Sequence, residues 1–359
     1  MKLHRMPFLI QKMIIEEMGL DEILYLSVTS KRTCRLLGMS KIDLHSISIT
    51  VYFSYVLVRV GHPNASLYFS IPFKQSVTDN GHHNHLRMDC SNFQFLRNNW
   101  DSFTWNYEGV ELERIKNAGI AFGKLLRHLK TFLNVRKPVQ CSFRTVPVGL
   151  IPQLDCNYIY DRIVIRQRGA ENMNSEDLTF LLGQLKIKQL DLNVKVPVGG
   201  FSYQRNPENK CLIQKLIIGN HSWMDFSELP AAKVISISKQ IPLYQMNTVL
   251  KSWIAGRNRD MDIGDFELGK LTNRKSIFAG IESHATQLTE AERGRFLKYA
   301  YPRVHLLRDI VAVDIIREND GMRATVIEAM VDENPRSQRK IFVMVWSRNN
   351  LRRVRRHVD

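Results

Sequence analysis

The densest group of potential metal ligands in the 359-residue chain is the stretch GHHNHLRMDC, which brings His82, His83, His85 and Cys90 close together in sequence. Imidazole and thiolate are the ligands zinc prefers, but a closed tetrahedral site needs a second cluster at ligand spacing. None follows, and the Gly- and Asn-rich setting predicts an exposed loop. The segment Gly119-Ile-Ala-Phe-Gly123-Lys124-Leu125 has the outline of a phosphate-binding loop. It is one residue short between the glycines, and Leu125 stands where a Ser or Thr hydroxyl must meet Mg²⁺. A G-x-S-x-G elbow, an H-E-x-x-H pair and a Cys-x-x-Cys pair are all missing from the sequence. The expectation is therefore a non-catalytic protein with no metal site and no cofactor.

The five cysteines, Cys34, Cys90, Cys141, Cys156 and Cys211, are odd in number and far apart. That pattern suits buried free thiols in a reducing compartment. The formal net charge is +16, and the last two dozen residues, from Arg336 on, hold eight cations and a single acid, Asp359. A cluster such as RRVRRH can meet nucleic acid, a nuclear import receptor or acidic lipid by charge alone, or it can be a solvated end with no partner. The longest early uncharged stretch, His45 to Val58, falls short of the roughly 20 apolar residues of a membrane helix. The start, MKLHRMPFLIQKMIIEE, is interrupted by Gln11 and Lys12 and reads as an amphipathic helix, not as a secretory segment. An intracellular protein, cytoplasmic or nuclear and with no membrane partner, is expected.

The elements that would position any site begin with three short helices. Pro7 suits a first helical turn, and Phe8, Leu9, Ile10, Met13, Ile14, Ile15 and Met18 follow at helical spacing up to Gly19. Leu20, Ile23, Leu24 and Leu26 make a second helix; Ser30 can cap a third that holds Leu36 and Leu37 and stops at Gly38. So few residues cannot bury so much aliphatic surface by themselves, which leaves some of it for another protein. The order Pro7, Ile14-Ile15, Leu20, Leu24, Leu26-Ser27, Ser30-Lys31-Arg32 and Leu36 resembles an F-box, with the Ser-Lys-Arg element typical of the nematode branch. Met6 replaces the usual leucine before the proline, and Thr33 replaces a common tryptophan. The resemblance implies docking on a Skp-type adaptor and, through it, a cullin. Pro7, Leu9, Ile10, Ile14, Ile15, Leu24, Leu26, Ser27 and Leu36 would be the contacts, with Lys31 and Arg32 at the rim.

Further along, Ser46–Tyr52 and Leu67–Ile71 alternate like strands, and Leu112 to Leu133 carries a helical stripe. Apolar pairs then recur at Ile163/Ile165, Leu190/Leu192, Leu216/Ile218, Ile235/Ile237 and Met261/Ile263, in steps of 19 to 27 residues. Helical stripes lie between some of them, Leu178-Leu181-Leu182-Leu185 and Met246-Val249-Leu250-Trp253. Strand plus helix at that period predicts a degenerate leucine-rich-repeat-like body. Trp253, Ile254, Gly256 and Asn258, with Asn220, Ser222 and Trp223 upstream and Asp320-Gly321 and Ala324-Thr325 downstream, resemble the type 2 F-box-associated domain of nematode F-box proteins. Asp309 to Trp346 reads as antiparallel strands that cap the last repeat.

The expected architecture is a mixed α/β chain: a three-helix F-box over 5–42, a variable strand and helix segment over 43–138, a repeat-like domain over 139–280, an α+β cap over 281–347 and a basic tail over 348–359. Together the two resemblances imply the substrate-recognition subunit of a Skp/cullin/F-box ubiquitin ligase, presenting a target protein for ubiquitination. The charge excess hints at an acidic or phosphorylated target. The alternative is a nucleic-acid or chromatin protein that uses the basic tail, although no recognition helix, ribonucleoprotein aromatic element or zinc knuckle accompanies it.

Overall fold

Three apolar stripes, each ended by a residue that breaks the pattern, fold as three helices. α1 (Phe8–Glu17) follows Pro7, whose φ of −56° already suits a helix. The Gln11 N–H donates to the Pro7 carbonyl. α2 (Leu20–Thr29) starts with the Gly19 N–H donating to the Glu22 carboxylate at 2.8 Å. α3 (Lys31–Ser40) is capped, as expected, by Ser30, whose hydroxyl accepts the Thr33 N–H at 3.0 Å. It does not stop at Gly38. A Cβ at position 38 would lie 2.8 Å from the Thr131 carbonyl oxygen, so this glycine admits a neighbouring backbone in mid-helix. That neighbour belongs to residues 125–132, which are helical. Ser27 Oγ and His128 Nε2 meet at 2.9 Å, and Cys34 Sγ lies 3.3 Å from Thr131 Oγ1. The three-helix module is thus fastened to the rest of its half of the chain.

The computed structural model describes residues 3–40, 42–44, 46–52, 55–62, 65–72, 83–88, 91–99, 102–106, 123, 125–135, 139–146, 150–154, 156–166, 172–197, 201, 203, 213–269, 276–301, 303–333 and 336–355. The N-terminal part of the expected helix from Leu112, like His82, Cys90 and Cys211, lies outside them. Contacts divide the chain into two compact units, Met1–Leu181 and Leu182–Asp359.

In the first unit the helices are followed by β1 (Ile42–Leu44), β2 (Ser46–Val51), β3 (Tyr55–His62), β4 (Ala65–Pro72), β5 (His83–Met88), β6 (Ser91–Asn99), β7 (Ser102–Asn106), β8 (Leu133–Val135), β9 (Val139–Phe143) and β10 (Ile159–Arg166). β1 pairs with β8 in parallel, and the others order as β10-β9-β2-β3-β4-β7-β6-β5. Apolar residues alternate along β2, and pairing extends that alternation across strands. Ile163, Cys141, Ile49, Val58 and Phe69 form one row; Ile165, Phe143, Val51, Val56 and Ile71 form the next but one. The histidine-rich stretch departs from expectation: it forms strand β5, not a loop, with His83 opposite Leu96 and His85 opposite Gln94 of β6. Backbone pairing with a partner strand offsets the poor strand propensity of Asn and His.

The division between units falls within α4 (Ser175–Gly183), whose first turn carries Glu176 and Asp177. The second unit continues with β11 (Lys186–Asn193), β12 (Ile213–Ile218), β13 (Ala232–Ile241), α5 (Leu243–Ile254), β14 (Ile263–Leu268), β15 (His284–Ala285), α6 (Glu290–Ala300), β16 (Leu307–Ile316), β17 (Arg323–Glu333), β18 (Arg336–Val345) and α7 (Arg348–Arg355). Its strand order is β11-β12-β13-β14-β18-β17-β16-β15. The first four are parallel; β18 adds to β14 antiparallel, and the remaining pairs are antiparallel too.

Leu190, Leu216 and Ile235 share a row, as do Leu192, Ile218 and Ile237. The fifth pair, Met261/Ile263, does not continue these rows: register places Gly264 beside Ile235 and Phe266 beside Ile237. Ile263 sits beside Val234 and joins a core with Phe296, Leu297, Ile327, Phe342, Met344 and Val354. The sheet is therefore buried on both faces here, and two superposed apolar periods made the sequence spacing ambiguous. The architecture is mixed α/β. Among the described residues no helix is long and apolar enough to cross a membrane.

Candidate docking surfaces

α1 is turned in a way its composition does not announce. Its buried positions are Gln11 and Ile15, while Phe8, Leu9, Ile10 and Met13 are exposed, Leu9 by 67% and Met13 by 55%. Gln11 is satisfied in its buried place because its Nε2 donates to the Met6 carbonyl at 2.6 Å. A helix normally hides its apolar stripe and wets its amides; here four large apolar side chains stay in water instead. Lys12 and Glu16, 3.6 Å apart, form an ion pair one turn apart on the same helix.

The expected docking residues separate into three groups. Pro7, Leu9, Ile10, Lys31 and Arg32 are exposed, and Ile14 and Leu26 are half-buried. Ile15, Leu24, Ser27 and Leu36 are closed off inside the protein. Ser27 donates to the Leu24 carbonyl at 2.6 Å and meets His128. These four hold the helices together, so any partner would meet the outer set. Phe8 and Met13 join that set; their signal in the sequence was their place on the same helix as Leu9 and Ile10.

Four of the residues that carry the second resemblance, Trp253, Ile254, Gly256 and Asp320, come together at one node of the second unit. The ring of Trp253 is fully buried, with the Arg317 guanidinium 5.2 Å from its centroid. Arg317 makes a two-pronged contact with Asp320, at 2.9 and 2.6 Å, which holds the Asp320 carboxyl down at about 2. The Glu318 N–H donates to the Ile254 carbonyl. Gly256 ends α5 at φ +79°, with Arg257 N–H reaching the Ser252 carbonyl and its own N–H reaching Trp253, and Asn319 stands where its side chain would be. Asn258 accepts the Leu229 N–H at 2.9 Å. Trp223 is buried against Phe201, and the buried Thr325 hydroxyl donates to Asp314 at 2.7 Å. Through Arg317, Glu318 and Asn319 the node ties the α5 exit to the β16–β17 turn.

In the basic C-terminal stretch, Arg348–Arg355 folds as helix α7 and not as a solvated end. α7 buries Asn350 and Val354. Asn350 Nδ2 donates to the Asp262 and Val345 carbonyls. α6 packs against it: Glu292 pairs with Arg355 at 3.2 Å, Arg295 donates to the Val354 carbonyl, and Tyr299 lies under Arg353 at 4.5 Å. Positions 292, 295 and 299 are one face of a helix. The Thr289 N–H bonded to Glu292 is the main cause of that carboxyl's lowered pKa, with Thr289 hydroxyl and Arg355 adding to it.

Of the thiols, Cys141 is buried, and burial pushes it far above the ordinary range, whereas Cys34 and Cys156 are partly exposed. Among the described residues no three His, Cys, Asp or Glu side chains gather as a metal site would require.

No family model and no curated protein matches the chain. Among solved structures, an S-adenosylmethionine-dependent methyltransferase from Clostridium acetobutylicum ATCC 824 aligns over 66% of this chain and 68% of its own, at 8% identity and a TM-score of 0.11. A TM-score that low carries no argument about fold or chemistry.

Proposed function

We propose that this chain is a target-recognition subunit of a Skp/cullin/F-box ubiquitin ligase, docking through α1 and presenting a protein held by the strand and helix body. One observation carries the reading: Phe8, Leu9, Ile10 and Met13 stand in water on α1 while a separate set, Ile15, Leu24, Leu36 and Leu37, closes the module behind them. A packed module that keeps apolar anchors outside is built to add a partner. The F-box resemblance supplies the identity of that partner, a Skp-type adaptor. The parallel strands β11 to β14, with α5 between β13 and β14, support reading this region as the body of the second resemblance, and in this reading the subunit acts by raising the effective concentration of a target lysine near a charged ubiquitin carrier. The same reading implies an intracellular location.

Co-precipitation with purified adaptor tests it. Leu9→Asp with Ile10→Asp removes two outer anchors without touching the core, and adaptor capture should fall at least tenfold with the unfolding temperature unchanged. Capture that survives this pair, in a chain that remains folded, overturns the docking assignment.

A further inference from the structure

We infer that the exposed face of α6 and α7 binds an extended anionic segment of the target, its phosphorylated or carboxylate side chains spaced at alternate residues. α6 and α7 together carry seven cations, Arg293, Arg295, Lys298, Arg348, Arg352, Arg353 and Arg355, against two acids, Glu290 and Glu292. Part of this charge is spent inside the layer: Arg293 donates to the Leu288 carbonyl, Arg295 to Val354, Arg355 pairs with Glu292, and Arg353 lies over Tyr299 with Asp262 near it. Lys298, Arg348 and Arg352 remain exposed, and among the described residues they make no ion pair.

Folding does not ask for this arrangement. The first turn of α7 has Arg348 and no acid, although the positive end of a helix favours the opposite sign. Like charge gathered there destabilises the free protein and is relieved by a bound anion. Arginine is the residue suited to two-pronged contact with phosphate or carboxylate. Arg348 and Arg352 are four residues apart, so their stems rise by about 6 Å along the helix. Alternate side chains of an extended peptide are about 7 Å apart, so successive anionic groups can meet successive guanidinium groups. α7 is only 8 residues long, roughly 12 Å, and Glu292 bounds the positive face. Two or three anionic side chains of an extended segment fit along Arg348–Arg355.

The inference rests on the reading of the chain as a target-recognition subunit, and its test is kept apart from adaptor binding. Fluorescence anisotropy of the full chain should be measured with a labelled twelve-residue peptide carrying phosphoserine at alternate positions, with its aspartate and unphosphorylated serine forms, and with a twelve-nucleotide single-stranded DNA. The expected order is phosphopeptide, then aspartate peptide, then serine peptide, with DNA weaker than phosphopeptide. R348E/R352E should cost at least tenfold in phosphopeptide affinity at an unfolding temperature equal to or above that of the wild type, and R348K/R352K should lose less. Adaptor capture by R348E/R352E should stay at the wild-type level, whereas the Leu9→Asp/Ile10→Asp pair should lose the adaptor and keep the peptide. Equal phosphopeptide affinity for wild type and R348E/R352E overturns the inference, as does failure of both anionic peptides to bind. Tighter binding of DNA than of phosphopeptide, lost in R348E/R352E, overturns it in favour of a nucleic-acid partner.

Discussion

The first and last helices of the chain spend their exposed faces in opposite ways. α1 buries a glutamine and an isoleucine and leaves Phe8, Leu9, Ile10 and Met13 outside. α7 buries an asparagine and a valine and leaves Arg348, Arg352, Arg353 and Arg355 outside. In both, a single aliphatic residue, Ile15 or Val354, and one satisfied amide, Gln11 or Asn350, fix the helix in place. Anchoring thus needs little of either sequence, and the remainder is free to be selected for contact. The chemistry left outside differs: apolar side chains reward a partner by leaving water, whereas guanidinium groups reward one that brings opposite charge.

The strongest challenge to this comparison is a pair of truncations on α1. Ile15 is 0% exposed and Leu9 67%. Ile15→Ala should cost about 3 kcal/mol in urea unfolding, from lost transfer energy and the cavity left behind, while Leu9→Ala should change stability by no more than about 0.5 kcal/mol. Equal losses from the two would mean that α1 has no distinct outer face.

How much of this was legible in the sequence depended on how many competing patterns each segment carried. β2, with Ile47, Ile49 and Val51 alternating against serine and threonine, was readable because one face only is apolar. At Met261 and Ile263 the reading slipped, since Ile263 serves the face that holds Phe296 and Phe342, and the row itself passes through Gly264 and Phe266. A glycine in an apolar row leaves no hydrophobic mark. In α1 nearly every residue is apolar, so the stripe could not say that Leu9 points out and Ile15 in; that is decided by packing against α3 and its neighbours. For α7 the difficulty was reversed. One valine among four arginines is too faint a stripe, and the core it joins includes Phe296 and Ile327, which are distant in sequence. The Trp253 node shows the gain from particular residues: Trp253, Gly256 and Asp320 were singled out on type and order, and they meet through Arg317 and Asn319, which were not.

At the other end, Val354→Ala should cost about 2 kcal/mol, and Arg352→Ala, whose side chain projects into solvent, less than about 0.5 kcal/mol. Hydrogen exchange would read the difference locally: faster exchange in α6 and α7 for the valine variant, and none beyond wild type for the arginine variant. An Arg352→Ala loss as large as that at Val354 would assign the cations to folding and remove the contrast with α1.

The smallest effect separates the two ends by pH. Glu292 fastens α6 at its start, accepting the Thr289 N–H at 2.8 Å and pairing with Arg355 on α7. Its folded pKa is lowered from 4.5, chiefly by the Thr289 N–H. A depressed carboxyl contributes stability that is fully present above the unfolded value and is lost as pH falls through the folded one. The α6–α7 layer should therefore open progressively below about pH 4.5, seen as faster exchange of the first-turn amides of α6 relative to those of α1. Glu292→Gln retains an acceptor for the Thr289 N–H but carries no charge, so it should flatten that pH dependence while leaving the layer folded at neutral pH. A layer that loosens with the same pH profile in the glutamine variant would show that the Glu292 charge is not what couples α6 to α7, and that Val354 and Asn350 hold the basic helix down without it.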